Sequence, residues 1–168
     1  MKEEILESAF YKEMLLSVAG ELTGGTLKKV KLVKLPESGW AGRCNERRVL
    51  LNIENRITAS FPSVPLKSDS ITGILGHECG HWNFTDFRLR KKYLEGLKKG
   101  EWYLHPPKPE TSSEAEHLEE INGYLKQKHE AALALLMETA SFIQNILEDV
   151  YVEKKMCERY AGSIRRGI

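Results

Sequence analysis

The chain has 168 residues, of which 41% are hydrophobic and 29% charged, a composition typical of a soluble domain with enough length to bury one core. Its 25 basic and 24 acidic side chains leave a net charge of +1, so neither nucleic acid nor a membrane is expected as a partner. Three cysteines without a Cys-x-x-Cys pair, and an N-terminus without a long apolar run, predict a reducing, cytoplasmic location and no signal peptide.

The first third of the chain predicts a helix followed by a small sheet. Apolar residues recur at helical spacing over residues 3–22, and a Gly-Gly pair then ends the helix. Residues 26–35 and 47–53 are rich in β-formers and predict two strands in a hairpin or small sheet, joined by a turn-rich link. A third short strand is expected at 56–61.

The middle of the chain predicts a loop and then the helix that carries the string ILGHECGHWNF. Ser68 or Asp69 can cap this helix because a side-chain oxygen there accepts an otherwise unpaired N–H. The helix is expected to end near Phe84, and Thr85 or Asp86 to cap the basic helix that follows.

The last third predicts a loop and then mostly helix. Residues 105–113 are rich in proline, and Ser113 with Glu116 forms a capping box. Helix is expected from there to about Tyr160, broken near Gly123. The whole order predicts one α+β domain over residues 1–168, with an N-terminal helix, a small N-terminal sheet, a motif helix and long C-terminal helices.

Two histidines four residues apart point to a metal site. On a helix, His77 and His81 lie about 40° apart on one face, so both imidazoles can reach one ion. Glu78 lies about 60° from His81, where it can reach a water on that ion without being a ligand. This is the arrangement that a hydrolytic zinc site needs, with the glutamate as general base.

A catalytic zinc needs a third protein ligand. The metzincin pattern would place a glycine and a third histidine where this chain has Phe84 and Phe87, so that family is excluded. Asp86 lies on the opposite face of a continuous helix from His77 and fits better as a helix cap.

The best source of the third ligand is the acidic stretch NILEDVYVEKK at 145–155. An apolar stripe on this helix is expected to be its buried face, and Glu148 is predicted to lie nearer to it than Asp149 does. One acid of the group Glu148, Asp149 and Glu153 can bind the metal while another orients a histidine through its second ring nitrogen. The stripe consists of Leu136, Ala140, Ile143, Leu147 and Val150.

HECGH followed by WNFTDF, and later by NILEDVYVE, resembles the gluzincin type of zinc metallopeptidase. The chain is similar in particular to minigluzincins and to the peptidase regions that precede von Willebrand A domains in cobaltochelatase-subunit-like proteins. The resemblance implies a zincin-like fold with His77, His81 and Glu148 as zinc ligands and Glu78 as general base. Segment 86–113 would then be an insertion, because 66 residues separate His81 from Glu148.

The sequence therefore predicts a zinc-dependent peptidase whose last strand before the motif helix holds an extended peptide. Two alternatives stay open. One is a non-catalytic module that keeps zinc for folding or interaction, and the other is a latent peptidase covered by the loop 105–113 or the tail 161–168. Substrate specificity and oligomeric state are not predicted.

Other side chains receive less specialised predictions. Cys79 faces away from the metal and is expected in the core, as is Tyr151, which could otherwise point its phenol at a substrate oxyanion. The remaining histidines are expected on the surface, and these are His105, His117 and His129.

Overall fold

The computed structural model describes residues 3–102 and 105–160 of the chain. Within them it contains a short 3₁₀ helix, six α-helices and three strands, so the predicted α+β class is confirmed. In chain order these are the 3₁₀ helix Glu3–Glu7, α1 Ala9–Leu22, β1 Val30–Val33, β2 Gly42–Asn45, β3 Arg48–Asn52, α2 Arg56–Ala59, α3 Val64–Phe84, α4 Phe87–Lys98, α5 Ser112–Gln127 and α6 Glu130–Arg159. The tail 161–168, one predicted cover of the cleft, lies outside the described residues.

The chain forms two compact units. The first unit comprises the residues up to Thr85 and those from Glu148 onward, and the second comprises Asp86–Leu147. The second unit is longer than the insertion expected at 86–113, because it includes α5 and the first part of α6. That the chain is one functional domain stays a prediction.

The sheet of the first unit is mixed, with strand order β1-β3-β2. Central β3 pairs parallel with β1 and antiparallel with β2. The segments predicted as strands at 26–35 and 47–53 are therefore parallel neighbours and not a hairpin. The hairpin partner β2 lies in the predicted link, where Asn45 Oδ1 accepts from the backbone N–H groups of Arg47 and Arg48 and closes the turn.

The prediction of a strand at 56–61 is wrong, because this segment begins with helix α2. Asn55 caps it: its Oδ1 accepts from the Thr58 backbone N–H at 3.0 Å. A buried Asn-Thr-Ser hydrogen-bond network continues from Thr58 to Ser70 on α3. The local cap outweighs the β propensity of the segment.

Helix α3 starts earlier than predicted, at Val64 and not after Ser68 or Asp69. Pro65 lies in its first turn, where a missing N–H costs nothing. The predicted end at Phe84 is confirmed, and so is the cap of α4, where Asp86 accepts from two backbone N–H groups.

The core of the first unit lies between the sheet, α1 and α3. Ile71, Leu75 and Cys79 recur every four residues along α3 and are almost fully buried, as predicted for Cys79. Val152 and Met156 of α6 complete this core and are fully buried. The motif helix is thus held on several sides by packed apolar side chains.

Gly80 lets α6 approach α3 inside the motif. A Cβ there would lie 2.7 Å from Met156 Cγ and closer still to Val152 Cγ1. We therefore expect Gly80→Ala to lower the free energy of unfolding by about 1–3 kcal/mol through overpacking. Gly20→Ala in α1 is the matched control, because nothing lies within 4 Å of its Cβ position and it should stabilise by about 0.5–1 kcal/mol. Chemical unfolding of both variants measures the difference, and equal stability of the two would contradict this packing.

In the second unit, α5 begins two residues earlier than the capping box predicted from Ser113. Thr111 Oγ1 accepts from the Glu114 N–H at 3.2 Å, and the Glu114 carboxylate accepts from Glu110 N–H at 2.7 Å. The prediction that the helix breaks near Gly123 is wrong. It lies at Lys128, which adopts a left-handed conformation with φ 51° between α5 and α6.

The apolar stripe predicted as the buried face of α6 is largely exposed. Ile143, Leu147 and Val150 are 50%, 65% and 62% exposed. The residues by which α6 packs on α3 are instead Val152 and Met156. Among the described helices, none has a stretch long and apolar enough to cross a membrane.

Candidate metal centre

The two motif histidines lie side by side near the C-terminal end of α3. Their Nε2 atoms are 3.1 Å apart, as the four-residue spacing predicts for one helix face. Both rings are partly exposed, so the pair is accessible from solvent. Burial, and then the neighbouring His77, lower the pKa of His81, so that ring is held in the neutral form that binds metal.

Asp149 of α6 brings a carboxylate to the same point. Its Oδ1 lies 3.1 Å from His81 Nε2 and 3.7 Å from His77 Nε2. In a tetrahedral zinc site with bonds of about 2.0–2.1 Å, ligand atoms lie about 3.3 Å from one another. The three atoms therefore have the mutual distances that a zinc ion needs. In the described part of the chain, this is the one group of three or more such side chains close enough to hold a metal.

Thr85 and Glu148 lie beside Nδ1, the second ring nitrogen of His81. The Thr85 hydroxyl donates to the Glu148 carboxylate and lies 3.0 Å from His81 Nδ1. Its single proton is thereby used, so its oxygen accepts from Nδ1–H of His81. With its proton on Nδ1, Nε2 of His81 presents a lone pair to an ion, whereas without an ion Nε2 lies within hydrogen-bond distance of Asp149 Oδ1, at 3.1 Å.

Glu153 lies beside the corresponding nitrogen, Nδ1, of His77. Its Oε1 lies 3.4 Å from His77 Nδ1, and a carboxylate can only accept, so the proton of His77 is favoured on Nδ1. The Nε2 atoms of both imidazoles and Oδ1 of Asp149 thus converge on one point, with His81 Nε2 within 3.1 Å of each of the other two atoms. Two imidazoles and a carboxylate are ligands that zinc commonly takes, so the donor set fits a bound metal ion.

The three acids predicted as candidate ligands thus differ in their contacts. Asp149 faces both Nε2 atoms, whereas Glu148 and Glu153 lie beside the Nδ1 atoms. The geometry favours Asp149, which was an alternative to Glu148. Which acid binds the metal stays a prediction. Asp149 lies three and seven residues before Val152 and Met156, the side chains that face α3, and so lies on that side of α6.

Glu78 is buried beside the edge strand. Its side chain lies so close to Gly42 of β2 that a Cβ there would come within 2.7 Å of Glu78 Cγ and closer to Oε1. Only 6% of the residue is exposed. Burial, and secondarily the charge of Asp149, raise the pKa of Glu78 to about 8. The carboxyl group therefore exchanges a proton near neutral pH in the metal-free protein.

Among the described residues, strand β2 pairs with another strand on one side only, and its unpaired edge lies next to Glu78. Asn52 N–H donates to Ala41 C=O at 2.8 Å, and bonded and non-bonded pairs alternate along an antiparallel ladder. Gly42 and Cys44 therefore turn their N–H and C=O groups away from β3, toward the open side of the sheet. An extended chain could pair with these groups.

Two glycines and a threonine of the site were not assigned site roles from the sequence. Thr85 was predicted only as a helix cap, although it continues the four-residue series of His77 and His81. The sequence around Gly42 and Gly80 does not indicate their role, because that role is to let β2 and α6 pack closely against α3.

The remaining candidates lie elsewhere. Tyr151 is 47% exposed and packs edge-on against Phe84, so the predicted core position is wrong. His105, His117 and His129 are exposed, as predicted.

Comparison of the chain with protein-family models, with curated proteins and with solved structures finds no match.

Proposed function

We propose that this chain is a zinc-dependent metallopeptidase, with a zinc ion held by His77, His81 and Asp149. The observation that carries the proposal is the convergence of two imidazole nitrogens and a carboxylate oxygen, 3.1–3.7 Å from one another, near the separations of a tetrahedral zinc site. The zincin-like fold is part of the proposal, supported by an α+β order in which a sheet precedes the motif helix. An aspartate as third ligand departs from the gluzincin pattern, which has glutamate there.

Three protein ligands leave one position of a tetrahedral ion open, as catalytic sites require. A zinc ion bound there would act as a Lewis acid on a carbonyl and lower the pKa of its water. Glu148 and Glu153 keep the two histidines in the ligating tautomer, Glu148 through Thr85.

Glu78 is the proposed general base. It follows His77 directly, and its pKa of about 8 lies near neutral, where a side chain can both accept and return a proton. In peptide hydrolysis it would take a proton from the attacking water and pass it to the leaving amine. A site that only held zinc for folding would gain nothing from a buried carboxyl at this place.

The free edge of β2 is the proposed peptide-binding strand. A substrate strand paired with Gly42 and Cys44 would pass beside the Glu78 carboxyl, because Gly42 touches that side chain. The strand expected for this role at 56–61 begins with a helix, and β3 is paired on both sides. The substrate class that fits is a peptide or protein segment in extended conformation.

Metal removal and restoration test the proposal. Zinc-reloaded protein should contain about one zinc per chain and cleave members of a mixed peptide library. A chelator should remove both the zinc and the cleavage, and added zinc should restore both. Full cleavage by protein shown to be free of metal would exclude the proposed chemistry, and zinc binding without any cleavage would favour the non-catalytic zinc module.

A further inference from the structure

The second unit exposes an unusually apolar surface on α6, which we call the outer face of α6. Surface helices normally turn polar residues to solvent, whereas this helix also exposes five large apolar side chains within about three turns. Each of the five large apolar side chains is between 47% and 65% exposed. The outer face consists of Leu135, Phe142, Ile143, Ile146 and Leu147.

The size of this face matches one half of a protein interface. Half-exposed large side chains contribute about 100 Å² each, so the five present about 500 Å². A specific interface buries about 800 Å² per partner, of which roughly 60% is apolar, again about 500 Å². The largest apolar patch on a soluble protein is about 300–600 Å² and is often functional, and the area here matches one half of an interface.

We propose that the outer face of α6 pairs with the same face of a second copy of this chain, in an antiparallel, two-fold dimer. The proposal is independent of the metal site. A membrane surface fits poorly, because the helix has no lysine or arginine from Glu130 to Glu153. Helix pairs of this kind bury apolar residues that recur on one face every three, four or seven residues, which are the spacings from Leu135 to Leu147.

Charges beside the stripe support the antiparallel arrangement. Glu138 and Asn145 are seven residues apart, so they lie on the same flank of the stripe. The guanidinium of Arg90, from α4, donates to Asn145 Oδ1. The flank therefore carries a negative charge near its beginning and a positive charge near its end.

A two-fold axis joins these opposite charges. In an antiparallel helix pair the same flanks face each other, and an axis through the middle of the stripe, near residue 141, sets residue 138 opposite residue 144 of the second helix. Glu138 then lies close to Arg90 of the partner subunit, and the symmetry repeats the pair. In a parallel pair unlike flanks face each other, so Glu138 would not lie opposite Arg90 of the partner subunit.

Sedimentation velocity of the full chain tests the proposal. We expect a concentration-dependent dimer at about 10–100 µM, and at least a 100-fold weaker dimer for Ile146→Glu. Because Ile146 is already 47% exposed, this variant should fold, and its circular dichroism should match wild type. A wild-type chain that is monomeric throughout this range would overturn the proposal.

Charge exchange tests the arrangement. Glu138→Arg and Arg90→Glu should each weaken the dimer about 10-fold, and the double variant should return to near wild-type affinity. Glu119→Arg makes the same charge change at an exposed site on α5 and should have no effect. A dimer unaffected by Ile146→Glu and both charge variants would place the interface elsewhere.

Two other occupants of the face would also overturn the proposal. In one such result the protein is monomeric and floats with phosphatidylserine vesicles, and Ile146→Glu abolishes the binding to vesicles. In the other result a chain ending at Tyr160 dimerises at concentrations at which the full chain does not. Residues 161–168 would then be the segment that occupies the outer face of α6.

Discussion

Glu78→Gln should lower peptide hydrolysis by a factor of about 10²–10⁴ and leave the zinc content unchanged. The amide keeps the shape of the side chain beside Gly42 but cannot accept a proton from water. The three proposed ligands are untouched, so metal affinity should stay within a few-fold of wild type. Steady-state kinetics on a cleaved library peptide, with zinc measured on the same samples, give both quantities.

The stability of the metal-free variant gives an independent reading of the same residue. Burial raises the pKa of Glu78 from its ordinary value of 4.5 to about 8 in the folded protein. A group with a raised folded pKa favours folding fully below its unfolded pKa, and that contribution is lost as pH rises through the folded pKa. Metal-free wild type should therefore lose stability between about pH 4.5 and pH 8 through this group, and Glu78→Gln should lose less.

Glu21→Gln is the matched control for the kinetic experiment, because Glu21 is an exposed glutamate on α1 of the same unit. It should leave hydrolysis unchanged. Full activity of Glu78→Gln would show that Glu78 is not the base. An unchanged pH dependence of metal-free stability would show that Glu78 is not buried in the way described here.

The histidine pair could be predicted because its geometry is contained in one helix. Four residues of α-helix bring His77 and His81 to one face, whatever the rest of the fold does. The same logic reaches Thr85, one turn further, which accepts from His81 and was predicted only as a cap. Extending the four-residue series by one step would have identified this partner.

Asp149 could not be chosen from its own sequence neighbourhood, because the choice depends on which face of α6 meets α3. The apolar stripe containing Ile143 and Leu147 suggested the wrong face, since those residues are exposed. The face in contact with α3 contains Val152 and Met156 and is set by the absence of a side chain at Gly80. A contact between segments 68 residues apart leaves little trace in either segment.

Strand β2 was missed for a related reason. A strand is recognised by alternating apolar side chains, and Gly42, Arg43 and Cys44 offer little of this. Its position depends on pairing with β3 and on close approach to Glu78, which are tertiary contacts. The segment that carries the proposed peptide-binding edge is thus among the least visible in the sequence.

Asp149→Ala should weaken zinc binding at least about 10²-fold, close to the loss expected for His81→Ala. Asp149 Oδ1 lies opposite both Nε2 atoms, so its removal takes away a ligand and the negative charge that offsets the ion. Zinc titration against a competing chelator measures the affinities. The double variant His77→Ala, His81→Ala gives the zinc affinity of a site without imidazoles.

Glu148 and Glu153 should behave differently, because each lies beside an Nδ1 atom. Glu148→Gln and Glu153→Gln should cost about 10-fold, the lower end of the range for residues that orient metal ligands. Glu148 acts through Thr85, so Thr85→Val should cost about as much, and Thr85→Val combined with Glu148→Gln should cost little more than either alone. Additive losses would mean that Glu148 reaches the ion directly. If Glu148→Ala also matches His81→Ala while Asp149→Ala stays within a few-fold of wild type, Glu148 is the third ligand, as the resemblance to gluzincins implies.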